Sequence, residues 1–390
     1  MSSRRIILLA LSFVSFTVIF NSLILTPILV EIANEFRVSV PVAGQLVTAY
    51  ALPGAVIGLI IGPFADTYGR RPIVLLSLVV SLLASVATAF AWSYVSLAGF
   101  RMLSGLAAGS LFPTALAVVG DIFPYEERGR AMAWMITANT LAAIIGIPAA
   151  SILAEFAGWR STFLFLAVIL ALVIWVVFRE LPARQASGKL SRETFFRTFQ
   201  PILASISARA ALVSNFIGAL LWFGYVTYLG AFFISSFGLS TGSLAPILAM
   251  LGIGVLIGGN IGGRLGDRVG HKRVIVGSLM VGMPFMVLQL NWVAGVFFAA
   301  ALNLMTAGPN GARFASTSTL MSELVPQARG TMLALNSSVQ TLGIMMGSIL
   351  GGVAIAVSGY GLLGWLIGGL SLLSAAVMYR WVEEGGPVGN

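Results

Sequence analysis

Twelve apolar stretches, each almost bare of charge, follow one another along this chain of 390 residues. They cover about 6–32, 41–64, 73–91, 93–120, 130–154, 161–178, 208–234, 242–263, 274–290, 294–320, 331–356 and 360–380. A helix needs roughly 20 apolar residues to cross a hydrocarbon core, so each stretch is a candidate span and little chain remains for a separate soluble domain. The expected fold is an all-α polytopic membrane protein with twelve transmembrane helices in two pseudo-symmetric six-helix bundles. Composition agrees: 58% of residues are hydrophobic and 9% charged, against about 25% charged in ordinary soluble domains. The first stretch outruns the apolar core of a secretory leader and is expected to be a retained span. Cysteine is absent, which excludes disulfides, thiolate metal sites and cysteine nucleophiles.

The net charge of +9 would point to nucleic acid in a soluble protein, but its distribution argues otherwise. Arg37 and Arg160 fall in the outer loops of an inside-starting topology, and Arg101 and Arg313 fall well within spans; every other Lys and Arg falls in the inner connections, at the inner ends of spans or in the termini. Basic residues orient helices by remaining on the cytoplasmic side. Both termini are therefore expected inside a multi-pass inner-membrane protein, with no nucleic-acid partner.

The two halves repeat at a constant offset of 201 residues. Gly62 pairs with Gly263, Asp66 with Asp267, Gly69 with Gly270, Arg71 with Lys272, Arg128-Gly129 with Arg329-Gly330, and Gly158-Trp159 with Gly359-Tyr360. Charged residues are rare here, so these matches imply duplication. The expected division is a six-helix bundle over 1–178, a cytoplasmic linker over 179–207 and a second bundle over 208–390. Within the linker, Leu190, Phe195, Phe196 and Phe199 interleave with polar residues, which fits either a short amphipathic helix on the inner leaflet or a tether. Small-residue ladders at Gly54, Gly58 and Gly62, and at Gly254, Gly258 and Gly262, are expected to pack helices closely.

The segment from Gly62 through Asp66 and Gly69 to Arg70-Arg71 resembles the loop signature of the major facilitator superfamily, and the segment from Gly263 through Asp267 and Gly270 to His271-Lys272 repeats it. Arg101 followed by Gly105 resembles the family's fourth-helix motif, with Ser104 in place of a common Gln. Gly146-Ile147-Pro148 followed by Gly158-Trp159-Arg160 resembles the drug and sugar efflux branch of twelve-helix proton antiporters, although Ile147 interrupts the usual Gly-Pro pair. The resemblance implies a monomeric secondary carrier working by alternating access, with Asp66, Gly69, Arg70, Arg71, Arg101, Asp121, Asp267 and Gly270 in gating or coupling. The glycines permit tight turns, and the acids offer acceptors to helix N-termini or arginines.

Polar and aromatic residues within spans are the substrate-site candidates: Asn21, Gln45, Tyr50 and Asn139 in the first half; Trp222, Tyr225, Asn310, Arg313, Asn336 and Gln340 in the second. Taken singly, each is expected first as an interhelical tie; as a set they can form a binding site. No carboxylate falls at mid-span, while exporters of lipophilic cations need one to carry a proton or meet the cation. A neutral, zwitterionic or anionic substrate is therefore expected. The reading is an exporter of drugs, sugars or related metabolites, coupled to protons, with an uncoupled facilitator of a neutral or anionic metabolite as the alternative. A channel ranks lower for lack of a filter-like segment. Enzymatic activity and a cofactor are not expected, for want of a nucleotide motif, a ligand cluster or an activated nucleophile.

Overall fold

The computed structural model describes residues 2–182 and 199–384, with the side chains of Ser2, Ser3, Pro63, Asp66 and Tyr125 outside the description. The linker residues 183–198, including Leu190, Phe195 and Phe196, lie outside it as well.

Described elements are helical. The first half comprises α1 (Ser2–Leu23), α2 (Leu25–Glu35), α3 (Val40–Tyr68), α4 (Arg70–Ala89), α5 (Tyr94–Ile122), α6 (Tyr125–Leu141), a π-helical turn (Ala142–Gly146), α7 (Ile147–Ala157) and α8 (Trp159–Glu180). The second comprises α9 (Gln200–Ala204), α10 (Ile206–Phe237), α11 (Ala245–Val269), α12 (His271–Asn291), α13 (Val296–Leu324) and α14 (Arg329–Trp381). Helix α14 is two spans run together: backbone angles leave the helical region at Ser358 and Gly359. Ten described stretches are long and apolar enough to cross a bilayer. The 29-residue α13 is not among them, because Asn303, Thr306, Asn310, Arg313 and a run of Ser and Thr dilute its apolar character.

The chain divides into two compact units, one of residues 1–190 with 240–245, the other of residues 191–239 with 246–390. The sequence repeat has a counterpart in backbone geometry. Gly69 and Gly270 both join consecutive helices at positive φ, 88° and 98°, and Gly158 and Gly359 do so at 74° each. Only glycine takes such values without strain, so the repeated glycines mark two repeated turns per half.

Close helix approach is repeated too. In the first unit Gly105 of α5 faces the Tyr50 carbonyl of α3, and Gly109 faces Gly54; a Cβ at Gly105 or Gly109 would overlap α3. In the second, Gly258 and Gly262 of α11 meet Gly308 and Ala312 of α13 with the same intolerance of a Cβ. Lipid tails supply no hydrophobic drive to join helices, so such backbone-to-backbone packing is a main source of cohesion. The ladder is not uniform, since Gly62 has open space where a Cβ would stand.

The π turn precedes Pro148, which lacks an N–H and cannot continue an α-helical bond ladder. One widened turn absorbs that loss. Gly146 there lets α1 close in, a Cβ at this position falling 2.9 Å from the Phe20 ring and 3.0 Å from that of Phe16.

Candidate functional site

Among the described residues each unit holds one buried arginine, and each arginine is surrounded by neutral oxygens. In the first unit Arg101 is 0% exposed on α5. Its Nη1 donates to Asn21 Oδ1 at 2.6 Å and its Nη2 to the Asn21 carbonyl at 3.1 Å. Its guanidinium lies over the Tyr50 ring, 4.5 Å from the centroid. Tyr50 in turn donates to the Val18 carbonyl at 3.3 Å. Three of the sequence candidates, Asn21, Tyr50 and Arg101, are thus one cluster drawn from α1, α3 and α5. Gln45 is not part of it: its amide returns to the Pro41 carbonyl at 3.2 Å and its Oε1 accepts from Thr48. Asn139 stands on α6 beside the π turn with its Oδ1 buried and unpartnered.

In the second unit Arg313 is 3% exposed on α13. Nε and Nη2 both donate to Asn310 Oδ1, at 3.1 and 3.0 Å, one turn back on the same helix. Nη2 also reaches the Gly218 carbonyl at 3.2 Å and Nη1 reaches Asn215 Oδ1 at 3.4 Å. Gly218 makes this possible, because a Cβ there would occupy the place of Nη1. Asn215 passes the chain of bonds to Asn336 Oδ1 on α14 at 2.7 Å. Asn310, Arg313 and Asn336 of the sequence candidates are therefore linked, with Asn215 as the joint.

Trp222 and Tyr225 share a face of α10, as their spacing implies, with ring centroids 5.9 Å apart. Their roles differ. Tyr225 is buried in a separate hydrogen-bond node with Gln289 Oε1 (2.7 Å) and Asn303 Oδ1 (2.9 Å). Trp222 lines a cavity that also borders Arg313, Asn310 and Thr306. Gln340 is half-buried on α14. Sequence reasoning missed Gln289, placed at the very end of its apolar stretch, and Thr306, whose hydroxyl is indistinguishable in sequence from those that bond back to their own helix.

The loop residues carry a different electrostatic pattern. Arg70 and Asp121 form a salt bridge at 3.0 Å, joining the start of α4 to the end of α5. Arg71 donates to the Phe178 carbonyl at 2.6 Å and lies over that residue's ring. The Asp66 side chain lies outside the described residues. In the second unit Asp267 is largely exposed, 3.6 Å from His271. The helix N-terminus beside it is held by Glu384, not by Asp267: Glu384 accepts from the backbone N–H of His271 at 2.5 Å and of Lys272 at 3.0 Å. Both donors are among those a helix start leaves unpaired, and the carboxylate also meets the positive end of the helix dipole.

At the opposite end of the first unit's helices, Glu35 accepts from Arg160 at 2.6 Å and from Trp159 Nε1 at 2.7 Å. The Arg160 hydrogen bond, aided by that of Trp159 and by the charge of Arg160, holds the Glu35 carboxyl below its ordinary value despite partial burial.

The family model described as Major Facilitator Superfamily matches residues 11–262 and 247–390. The chain is 29% identical over 363 residues to the inner membrane transport protein YdhP of Escherichia coli, covering 90% of each chain. It is 24% identical over 369 residues to a probable sugar efflux transporter of Helicobacter pylori, covering 91% of this chain and 90% of that one. Among solved structures, a D-xylose-proton symporter superposes with a TM-score of 0.77 at 16% identity, over 97% of this chain and 98% of the other. Helices of spanning length, the repeated glycine turns and a family match along nearly the whole chain lead to one conclusion: this protein belongs to the Major Facilitator Superfamily and is a multi-pass membrane transporter of a small molecule.

Proposed function

We propose that the chain is a secondary carrier of the inner membrane, with both termini cytoplasmic, that exports a small neutral or anionic metabolite by alternating access. The observation that carries the substrate class is the surroundings of Arg101 and Arg313. Both are buried, and among the described residues both are bonded to asparagine and carbonyl oxygens instead of to an acid. A buried cation is costly in a bilayer, and an unbalanced positive charge repels cationic cargo while attracting an anion or the oxygen-rich face of a sugar. The described acids stand within about one turn of a helix end, where none can meet a cationic drug at mid-depth. Export, as against import, draws on the likeness to a probable sugar efflux transporter.

Asn21, Tyr50 and Arg101 in one unit, and Asn310, Arg313, Asn336 and Trp222 in the other, are the side chains proposed to contact or orient the cargo. Gln45, Asn139, Tyr225 and Gln340 complete the proposed set. The Arg70–Asp121 bridge, Arg71, and the loop residues Asp66, Gly69, Asp267 and Gly270 are proposed to gate. Proton coupling is part of the proposal, with the carboxylates at helix ends as the titrating groups. Uncoupled facilitation is the second reading, favoured by the lack of a mid-helix acid.

The test is flux into proteoliposomes loaded with candidate sugars, organic anions and cationic dyes. Counterflow of a neutral or anionic compound, lost in Arg313→Ala, is the expected result. A carrier that moves only lipophilic cations overturns the substrate class. Accumulation driven by an imposed pH gradient separates the coupled reading from the facilitated one.

A further inference from the structure

Helices α10, α12, α13 and α14 of the second unit line a half-open cavity of about 30 Å³. A single water needs roughly 10–15 Å³ of such space, so the cavity has room for a small ion. Its polar lining is one-sided. Arg313 brings a full positive charge, and Ser278, Thr306, Asn310 and Ser371 bring hydroxyl or amide groups; among the described residues no Asp or Glu borders it.

Two of these polar groups are left over by the protein. Thr306 Oγ1 and Asn310 Nδ2 are both buried with no hydrogen-bond partner. Asn310 has spent its acceptor on Arg313, both Nε and Nη2 donating to its Oδ1. What it has left to offer is an N–H. Thr306 is 1% exposed on the same helix, one turn before Asn310, and its hydroxyl can turn to donate. Buried polar groups without partners cost about 1–3 kcal/mol each, and a buried guanidinium without a counter-charge costs more. A water could bond the leftover donors but would leave the charge unbalanced.

We propose that this cavity is a binding site for a monoatomic anion, of which chloride is the physiological size, held by Thr306, Asn310 and the charge of Arg313. One halide meets each requirement together: it fits the space, accepts from both unpaired donors and neutralises the arginine. The site is internal to the second unit and shares Asn310, Arg313 and Trp222 with the proposed cargo contacts, but a halide readout needs no cargo. A bound halide would also stiffen α12, α13 and α14 against one another, so that halide concentration sets the stability of this unit.

The test is the melting temperature of the purified full-length protein in detergent, titrated with sodium chloride or bromide against sodium gluconate at matched ionic strength. A ligand that binds only the folded state raises the midpoint as it saturates. The expected result is a saturable rise with chloride and bromide and none with gluconate. Thr306→Val keeps the shape of the side chain and removes the hydroxyl; it should weaken the apparent halide affinity roughly tenfold, the factor corresponding to one charge-assisted hydrogen bond. Asn310→Leu should weaken it further; if that variant does not fold, Thr306→Val and bromide anomalous scattering from a crystal decide. Equal midpoints in chloride and gluconate would mean that the chamber holds water only, and a halide shift untouched by Thr306→Val, or a bromide peak elsewhere, would place binding outside it. Either result overturns the proposal.

Discussion

Arg101 is tied to Asn21 twice, once through the side-chain oxygen and once through the backbone carbonyl of the same residue. The double bond fixes α5 to α1 at one depth and leaves the charge under the Tyr50 ring. Asn21→Leu would keep the backbone half of this tie and strip the other, exposing a buried guanidinium proton to an apolar wall. The expected cost is about 1–3 kcal/mol, read as a lower melting midpoint of the purified protein. Asn21→Asp, which supplies a counter-charge, should melt higher than Asn21→Leu. The reverse order would mean that Asn21 acts by packing alone.

The small-residue contacts divide the glycines into two sets with opposite expectations. Gly258→Ala places a methyl against the Gly308 backbone, and Gly105→Ala does so against Tyr50. Overpacking of this kind costs about 1–3 kcal/mol. Gly62→Ala and Gly263→Ala have open space at the same atom and should melt within about 0.5 kcal/mol of the parent. Equal effects in the two sets would refute the close approach.

Glu384 holds the start of α12 from a residue beyond the end of α14. Glu384→Ala is expected to lose about 0.5–2 kcal/mol, the ordinary value of an N-cap. Asp267→Ala should cost less, since Asp267 is exposed and 3.6 Å from His271. Thermal melts of the two variants side by side rank them.

The pH dependence expected of Glu35 follows from its depressed carboxyl. Its stabilising contribution is complete above the ordinary carboxylate value of 4.5 and is lost as pH falls through the lower folded value. The group is about 40% exposed, so solvent screening keeps the contribution small, within the range of about 0–1 kcal/mol for such pairs. Melting curves of the parent and Glu35→Gln should differ near neutral pH and converge as pH falls through the depressed carboxyl value. A difference that grows on acidification would contradict the assignment.

Much of the fold was legible because membrane spans are long and charge in them is rare. Gly69 and Gly270 declared their turns by repetition, and Arg101 and Arg313 were conspicuous as charged residues set back from the ends of apolar stretches. Partnerships were not legible. Asn21 and Arg101 lie 80 residues apart, and nothing in the chain says that Asn21, and not Gln45, is the one to meet the arginine. Hydroxyls hide their roles in another way: Thr137 and Thr140 return their hydrogen bonds to carbonyls four residues back, whereas Thr306 makes none. Spacing alone cannot tell these cases apart. The capping role of Glu384 was not legible either, because a cap contributed across more than a hundred residues leaves no local pattern.

The π turn at Ala142–Gly146 has a consequence for how faces are counted along this span. Before it, burial recurs at Ala131, Met135, Ala138 and Ala142; after it, at Ile147, Ala150, Ser151 and Ala154. An unbroken α-helix carried on from Ala142 would have turned residues 149 and 153 inward instead. The widened turn inserts one residue and slips the phase by about 100°, so a helical wheel drawn through the whole segment assigns lipid and protein sides correctly to only one end. Removing a single residue from the turn should restore one continuous phase and swing every side chain of α7 to a new azimuth.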